Sequence, residues 1–462
     1  MSGVRSIDTP SVDSEVGEEV RRKDRAHVFH SWSAQAEIDP MPVAGGKGSY
    51  FWDYNGKRYL DFASQLVNVN IGHQHPKLVA AIQKQAETLN TIAPPFANAA
   101  RSEAAQMIAE VAPGDLNKVF FTNGGADANE HAIRMARSHT GRSKVLAAYR
   151  SYHGGSAGAI ALTGDPRRWE SEPAIPNVVH YWGPYTYRSE FYSQNEAEEC
   201  QRALTHLRDV IAVEGAHTIG AIIMETVVGT NGILVPPDGY LAGVRKICDE
   251  HGIVMIADEV MAGFGRCGEW FAIDHWNVAP DLITFAKGSN SGYIPIGGVI
   301  ISETIAKTFD HRPYPGGLTY SGHVLGCASI AASMKIFREE NIIENARKLG
   351  EDVIGPGLRA LAERHPSVGE VRGLGVFWAA ELVTDRKTRS PLVPFNAKGE
   401  DAAPMREFAD ACKQDGLWPF THFNGTHVVP PCTTTADEAR EGLDILDRAL
   451  DVADRYYTGD DV

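Results

Sequence analysis

The chain has 462 residues, 43% of them hydrophobic and 22% charged, which predicts an ordinary globular protein of two or three domains. Its formal net charge of -15 argues against a nucleic-acid partner, because a phosphate backbone is recognised by clustered positive charge. The N-terminus has no apolar core and no apolar run approaches the ~18 residues that span a bilayer, so no secretory signal and no membrane partner are expected. The six cysteines are scattered, so we expect a cytoplasmic protein without a disulfide framework or a zinc site.

The first predicted elements are an arm and a hairpin. Residues 1–25 are polar, charged and without hydrophobic periodicity, so a mobile arm is expected. In residues 49–62 two aromatic runs flank the turn Asn55-Gly56, a pattern typical of a β-hairpin. Residues 26–75 are assigned to an N-terminal segment that contributes to a smaller domain.

Short apolar runs then alternate with helical patterns. The predicted strands are 118–121, 144–149, 219–225, 253–258 and 281–286, and the predicted helices include 126–138 and 240–251. The strand runs are continuous rather than alternating, which is typical of strands buried on both faces of a parallel sheet with crossover helices. Residues 76–330 are therefore predicted to form a large α/β domain on a mainly parallel sheet flanked by helices.

The pattern changes near residue 330. Amphipathic helices are predicted at 328–339 and 342–364, followed by short strands and a last helix. Residues 331–462 are therefore predicted to form the C-terminal part of a smaller α+β domain.

Lys287 is the first candidate for chemistry. It follows a buried strand and precedes a glycine-rich loop in FAKGSNSGYIPIGG. A lysine amine desolvated in this way has a lowered pKa and is nucleophilic toward an aldehyde. The alternative is a lysine at a strand end that reaches solvent, and the three letters AKG do not decide between the two.

Asp258 favours the chemical interpretation of Lys287. It ends an apolar strand, and ligands of parallel α/β sheets bind beyond the carboxyl ends of the strands. A carboxylate there can pair with the protonated pyridine nitrogen of pyridoxal phosphate, so that the ring acts as an electron sink. The alternative is that Asp258 caps a helix or ends a strand in solvent. The strand that ends at Asp258 is followed by a loop and by the strand that precedes Lys287, and this order favours a cofactor site.

Two strand-to-helix turns offer contacts for such a cofactor. The turn NGGA at 123–126 directs backbone N–H groups and a helix dipole at an anion, and Gly124 and Gly125 permit close approach. Tyr152 and His153, in YHGG, offer an aromatic face for stacking on a flat heterocycle. A plain turn and a core tyrosine are the alternatives.

Six segments together carry a family resemblance. FFTNGGADANEHAIRMAR, SYHG, METVVGTNG, IADEVMAGFGRCG, FAKG and GGLTYSGH resemble, in order and spacing, the class III aminotransferases, the ω-transaminases of pyridoxal-phosphate fold type I. The likeness runs from about Phe29 to the C-terminus. It implies the fold type I architecture with a seven-stranded sheet in the large domain, pyridoxal 5'-phosphate as cofactor, and a homodimer with shared active sites.

The resemblance also implies roles for particular residues. Lys287 would be the Schiff-base lysine and Asp258 the partner of the pyridine nitrogen. The other implied cofactor contacts are the phosphate-loop residues Gly124, Gly125 and Ala126, the stacking residue Tyr152 with His153 beside it, Val260 on the other face of the ring, Glu225 at the active-site glutamate position, and Thr319, which would reach the phosphate of the neighbouring subunit.

The sequence departs from the family pattern in three places. The usual serine-glycine-serine of the phosphate loop is Gly-Gly-Ala at 124–126, so backbone contacts replace hydroxyl contacts. Near the C-terminus, Phe420 and Thr421 stand where a mobile arginine often precedes a Pro-Pro pair. Val67 stands where a large aromatic residue often fills the substrate pocket, which predicts a roomier pocket. The remaining candidates for binding an acceptor carboxylate are Thr421, His422, Asn424 and Arg266.

The sequence therefore predicts a transaminase that moves an amino group from an amine, an ω-amino acid or a taurine-like donor to a keto acid, pyruvate or 2-oxoglutarate. Two alternatives stay open: a lyase of the same family that acts on phosphorylated amines, and a non-catalytic binding protein on the same fold. No metal is predicted, because His73 and His75 in GHQHP lack a third ligand.

Overall fold

The computed structural model describes residues 13–460. The strands, in chain order, are β1 (Val43–Lys47), β2 (Tyr50–Asp53), β3 (Arg58–Asp61), β4 (Leu116–Thr122), β5 (Lys144–Ala148), β6 (Val178–Tyr181), β7 (Ile219–Glu225), β8 (Val254–Asp258), β9 (Leu282–Phe285), β10 (Gly297–Ser302), β11 (Val368–Leu374), β12 (Phe377–Asp385), β13 (Ser390–Pro391), β14 (Leu417–Trp418), β15 (Phe420–His422) and β16 (Gly425–Val428). The α-helices are α1 (Ser14–His27), α2 (Ser64–Val67), α3 (Pro76–Thr88), α4 (Ala99–Ala109), α5 (Gly125–Thr140), α6 (Ala157–Leu162), α7 (Glu196–Glu214), α8 (Tyr240–His251), α9 (Glu303–Lys307), α10 (Val324–Glu339), α11 (Ile342–Leu349), α12 (Gly355–Arg364), α13 (Ala403–Gln414) and α14 (Ala436–Asp454).

A seven-stranded sheet forms the centre of the molecule, in the order β4-β10-β9-β8-β7-β5-β6. The strands β9, β8, β7, β5 and β6 run parallel, whereas β10 is antiparallel to both of its neighbours. Every residue of β7, β8 and β9 is buried, as expected for strands covered on both faces. The predicted mainly parallel sheet is confirmed.

Parallel pairing brings the carboxyl ends of the central strands to one edge of the sheet. Glu225 at the end of β7 lies beside Asp258 at the end of β8, and Asp258 lies beside Thr284 near the end of β9. Lys287 follows two residues after the end of β9. This edge is where an open α/β sheet binds its ligands.

Two smaller sheets lie outside the central sheet. One has the order β1-β2-β3-β14 and contains the predicted hairpin as β2 and β3, and the other has the order β11-β12-β16-β15, with β13 paired to β12. The short strand β14 pairs in parallel with β3, through Leu417 beside Leu60. Segments from the two ends of the chain therefore share one sheet.

The N-terminal segment differs from the expected mobile arm. Residues 14–27 are helical: the side chain of Asp13 accepts a hydrogen bond from the Val16 N–H, and Arg22 pairs with Glu19 along the helix. A Cβ at Gly17 would come within 2.7 Å of the Tyr54 Cβ, so α1 packs closely on the hairpin. The first part of the expected arm, residues 1–12, lies outside the described residues.

The predicted helix at 342–364 is present with one interruption, because a π-helical turn over Gly350–Ile354 separates α11 from α12. Within residues 13–460, no helix combines the length and the apolar character needed to cross a membrane.

Candidate active site

A cavity of about 180 Å³ opens beyond the carboxyl ends of β7, β8 and β9. It brings together eight of the residues that the sequence singled out, namely Gly125, Ala126, Tyr152, His153, Glu225, Asp258, Val260 and Lys287. Asn129, Thr230 and Met261 also line it and were not predicted. Asn129 lies one helical turn after Gly125, and this spacing places its side chain on the face of α5 below the glycine loop.

Lys287 carries an amine of unusually low basicity. Burial lowers its pKa to about 8, against the opposing effect of the carboxylates of Glu225 and Asp258. Its backbone lies in the left-handed region, with φ 40°. Among the described residues no hydrogen bond holds the amine, so a neutral, nucleophilic form is accessible near neutral pH.

The Asp258 carboxylate is held in place by three donors. Its Oδ2 accepts hydrogen bonds from Asn129 Nδ2 at 2.8 Å and from the His153 Nδ1–H at 2.7 Å, and its Oδ1 accepts one from the Val260 N–H at 3.0 Å. The carboxylate is 3% exposed and lines the cavity. An oriented, buried carboxylate can stabilise a cation brought into the cavity.

Glu225 supports the loop that carries Tyr152. Its Oε1 accepts a hydrogen bond from the Tyr152 N–H at 2.9 Å, and its Oε2 accepts one from the Gly229 N–H at 2.7 Å. Burial, with a smaller contribution from the Asp258 charge, raises the pKa of Glu225 to about 7. The cavity therefore contains an acid and an amine, Glu225 and Lys287, that both titrate near neutrality.

The cavity fits a flat cofactor that bears a phosphate. Pyridoxal 5'-phosphate is a cofactor of this kind. A Cβ at Gly124 would meet nothing within 4 Å, so the backbone at the start of α5 faces open space that an anion can enter. A Cβ at Gly125 would come within 2.8 Å of Val260 Cγ1, so a side chain here would displace Val260 from its place in the cavity lining. Two buried polar atoms of the lining, Asn129 Oδ1 and His153 Nε2, have no hydrogen-bond partner among the described residues.

Arg167 is the cation of this site that sequence reasoning missed. Its guanidinium lies 3.7 Å from the centroid of the Tyr152 ring, and its charge lowers the pKa of both Lys287 and His422. The buried Asp165 carboxylate holds it through Nε, at 2.9 Å, and Nη2. The motif TGDPRRW contains no pattern that separates a binding arginine from a surface one.

Among the predicted C-terminal candidates, His422 lies within the influence of the Arg167 charge but is itself uncharged. Burial, together with the charge of Arg167, lowers the pKa of His422 to about 4, so this imidazole is neutral at physiological pH. Asn424 donates its amide to the Leu382 carbonyl and to the Glu381 carboxylate. Phe420 packs its ring against His427, and Thr421 pairs with Thr426 in the β15–β16 ladder.

Arg266 and Val67 are both buried and do not line the cavity. Arg266 has no exposed surface, and its guanidinium donates to the Pro430 carbonyl, to Ser64 Oγ and to Asn70 Oδ1. Val67 is 1% exposed and belongs to a buried apolar cluster, and its φ of 55° is part of an irregular turn in α2. Val67 shares this cluster with Met261, which lines the cavity, and the roomier pocket expected at Val67 stays a prediction.

Thr319 lies on the surface, in a turn before α10. It does not line the cavity of its own chain. The neighbouring Tyr320 is 60% exposed, so both side chains are available to a second molecule.

Comparison with known proteins identifies the architecture. The sequence profile described as "Aminotransferase class-III" matches residues 33–450. The fold is similar to a taurine:2-oxoglutarate aminotransferase from Bifidobacterium kashiwanohense, solved in complex with PLP and glutamate, with a TM-score of 0.92 and 39% identity over 95% of this chain and 98% of that one.

Two further relatives extend the comparison. A thermostable (S)-enantioselective omega-transaminase from Thermomicrobium roseum matches with a TM-score of 0.88 and 35% identity, covering 94% of this chain and 98% of the other. A taurine–pyruvate aminotransferase from Bilophila wadsworthia is 32% identical over 91% of this chain and 95% of its own length.

Proposed function

We propose a substrate class for this chain, which belongs to the class III aminotransferase family and is a transaminase that uses pyridoxal 5'-phosphate. The proposed donor is an ω-amino acid, with an amine at one end and a sulfonate or a carboxylate at the other. Taurine is a donor of the sulfonate type. The proposed acceptor is a keto acid, pyruvate or 2-oxoglutarate.

Arg167 is the observation that carries this proposal. It is a charged group beside Tyr152 at the cavity, whereas His422 is neutral and Arg266 is buried with its two terminal nitrogens hydrogen-bonded inside the protein. The Asp165 carboxylate binds one edge of the guanidinium through Nε and Nη2, which leaves Nη1 for a ligand. A planar guanidinium with a free edge suits carboxylate and sulfonate oxygens, and the relatives named above act on taurine and keto acids.

We assign the remaining roles to residues of the cavity. When bound, the cofactor supplies an electron sink and carries the amino group between donor and acceptor. Lys287 would hold it through its amine and, once released, would move a proton at the substrate carbon, a task that suits an amine with a pKa near 8. Asp258 would stabilise the ring nitrogen as a cation, and Tyr152 and Val260 would contact the ring faces.

The phosphate would bind at the glycine loop. Gly124, Gly125 and Ala126 begin α5, where backbone N–H groups have no partner within the helix. This arrangement needs no hydroxyl side chain, which agrees with the departure from serine in this loop.

We further propose that the active form is a homodimer and that it works in the cytoplasm. Phe96 and Tyr320 expose 59% and 60% of their surface, and a subunit contact that covers them would also bring Thr319 to a neighbouring site. All six cysteines are free, which suits a reducing compartment. Sedimentation that finds an active monomer would contradict the dimer.

A donor and acceptor screen tests the proposed function. Taurine, β-alanine and n-propylamine are each supplied with pyruvate or 2-oxoglutarate while the cofactor spectrum and the keto product are followed. We expect sustained turnover only with a keto acid present, and the anionic donors to exceed n-propylamine in kcat/KM. Continued turnover without any keto acid would indicate the lyase alternative instead.

A further inference from the structure

A second cavity, of about 280 Å³, lies next to the amino-transfer site. The segment 164–169 forms a wall between the two, because consecutive arginines face different rings. Arg167 lies over Tyr152, which lines the amino-transfer site, whereas Arg168 lies 5.7 Å from the centroid of Tyr149, which lines the second cavity. We call this second cavity the outer cavity.

Four aromatic rings line the outer cavity. The ring of Tyr149 lies 4.6 Å from that of Trp182, at an interplanar angle of 40°. Trp169 and Phe395 complete the walls and remain 51% and 58% exposed. Large aromatic side chains left open around a concavity are a feature of ligand sites, because covering them removes apolar surface from water.

Two arginines add positive charge at the outer cavity. Arg168 pairs with Glu172 at 3.2 Å, and that carboxylate is 51% exposed. Arg150 lies 3.6 Å from Glu190, which is 39% exposed. The Arg168 and Arg150 side chains are 19% and 29% exposed, whereas their carboxylate partners face solvent, so a ligand carboxylate can compete with each partner for the guanidinium.

We propose that the outer cavity binds a single aromatic ring that carries a carboxylate. The ring would pack on the exposed ring of Trp169, beside the touching pair of Tyr149 and Trp182, while Arg168 and Arg150 would pair with the carboxylate. Its volume lies just below the ~300 Å³ at which sites for larger ligands begin, which suits one ring. The proposal does not depend on the donor class, because no residue of the amino-transfer machinery takes part.

A titration of the cofactor-loaded enzyme with benzoate, in which binding is measured by saturation-transfer NMR, tests this proposal. The variants are Trp169→Ala, which removes an aromatic wall, and Arg168→Gln, which removes a charge. The controls are Tyr192→Ala, which removes an 83% exposed ring outside the cavity, and Arg167→Gln, which alters the amino-transfer site. Cyclohexanecarboxylate serves as a ligand of equal charge without an aromatic ring.

We expect saturable benzoate binding whose Kd rises at least tenfold in both Trp169→Ala and Arg168→Gln and less than twofold in both controls. Cyclohexanecarboxylate should bind at least tenfold more weakly than benzoate. A loss confined to Arg167→Gln would place benzoate in the amino-transfer site and overturn the proposal. Unchanged binding in either cavity variant, or no saturable binding to the unmodified protein, would also overturn it.

Discussion

Replacing Arg167 by glutamine should separate donors that carry an anionic group from donors that lack one. The substitution keeps a polar side chain beside Tyr152 but removes the charge. A hydrogen bond to a charged group contributes roughly 1.5–3 kcal/mol. The Arg167 side chain is 25% exposed and shares its charge with Asp165, so we take a value inside that range, about 2 kcal/mol. Because 1.36 kcal/mol corresponds to a factor of ten, the expected loss is about 30-fold.

The assay compares kcat/KM for taurine with kcat/KM for n-propylamine, with pyruvate fixed. In a ping-pong reaction the donor's kcat/KM reports only the first half-reaction, so an effect of Arg167 on the acceptor does not enter. We expect kcat/KM to fall about 30-fold for taurine and less than threefold for n-propylamine. Arg168→Gln is the matched control, because its guanidinium lies over Tyr149 on the other side of the wall, and it should leave both values unchanged.

An equal loss for both donors would refute the reasoning. That result would mean that Arg167 acts by holding the Tyr152 ring, 3.7 Å away, and does not bind the anion of the donor. The proposed donor class would then lose its main support, whereas the membership of the family would stand.

Four further outcomes are expected. Lys287→Ala should abolish turnover and the visible absorbance of lysine-bound cofactor, and retention of that absorbance would assign the role to another lysine. The rate at which the unmodified apoenzyme takes up cofactor should rise with pH around a midpoint near 8, because burial lowers the pKa of Lys287 and only the neutral amine reacts. A midpoint near 10.5, the ordinary pKa of a lysine, would contradict this prediction. Asp258→Asn should still bind cofactor but lose roughly 100-fold in kcat, measured in the taurine–pyruvate assay, and near-normal kcat would show that the charge is not needed. Gly442→Ala should lower the free energy of unfolding in urea by about 2 kcal/mol, because a Cβ there would overlap the Phe62 ring, whereas Gly183→Ala, whose Cβ would lie 3.8 Å from its nearest neighbour, should have little effect.

The sequence predicted the part of the site that depends on parallel strands. Continuous apolar runs indicated the positions of β7, β8 and β9, and the ends of such strands meet at one edge of the sheet. Asp258 and Lys287 could therefore be placed together from their positions in the chain, whereas Glu225 was placed by the family resemblance. The glycine loop followed from the same rule, since it joins β4 to α5.

The parts that depend on irregular backbone could not be predicted. Arg167 reaches Tyr152 because the chain folds back between Arg150 and Gly164, whose backbone groups hydrogen-bond, and no periodic pattern marks this return. Val67 lies in a turn with positive φ and its side chain is buried, which its position along the chain did not indicate. The helix α1 depends on a cap and on packing against Tyr54. It was not predicted, because its residues are too polar to show a hydrophobic periodicity.

The parallel pair of β3 with β14 has a consequence for synthesis on the ribosome. Leu60 leaves the ribosome about 350 residues before Leu417, its neighbour in the finished sheet. At roughly 5–20 residues per second, this strand waits on the order of 20–70 s with an open edge. During that interval the edge can pair with other chains, so slow translation or early termination should favour aggregation of the nascent protein.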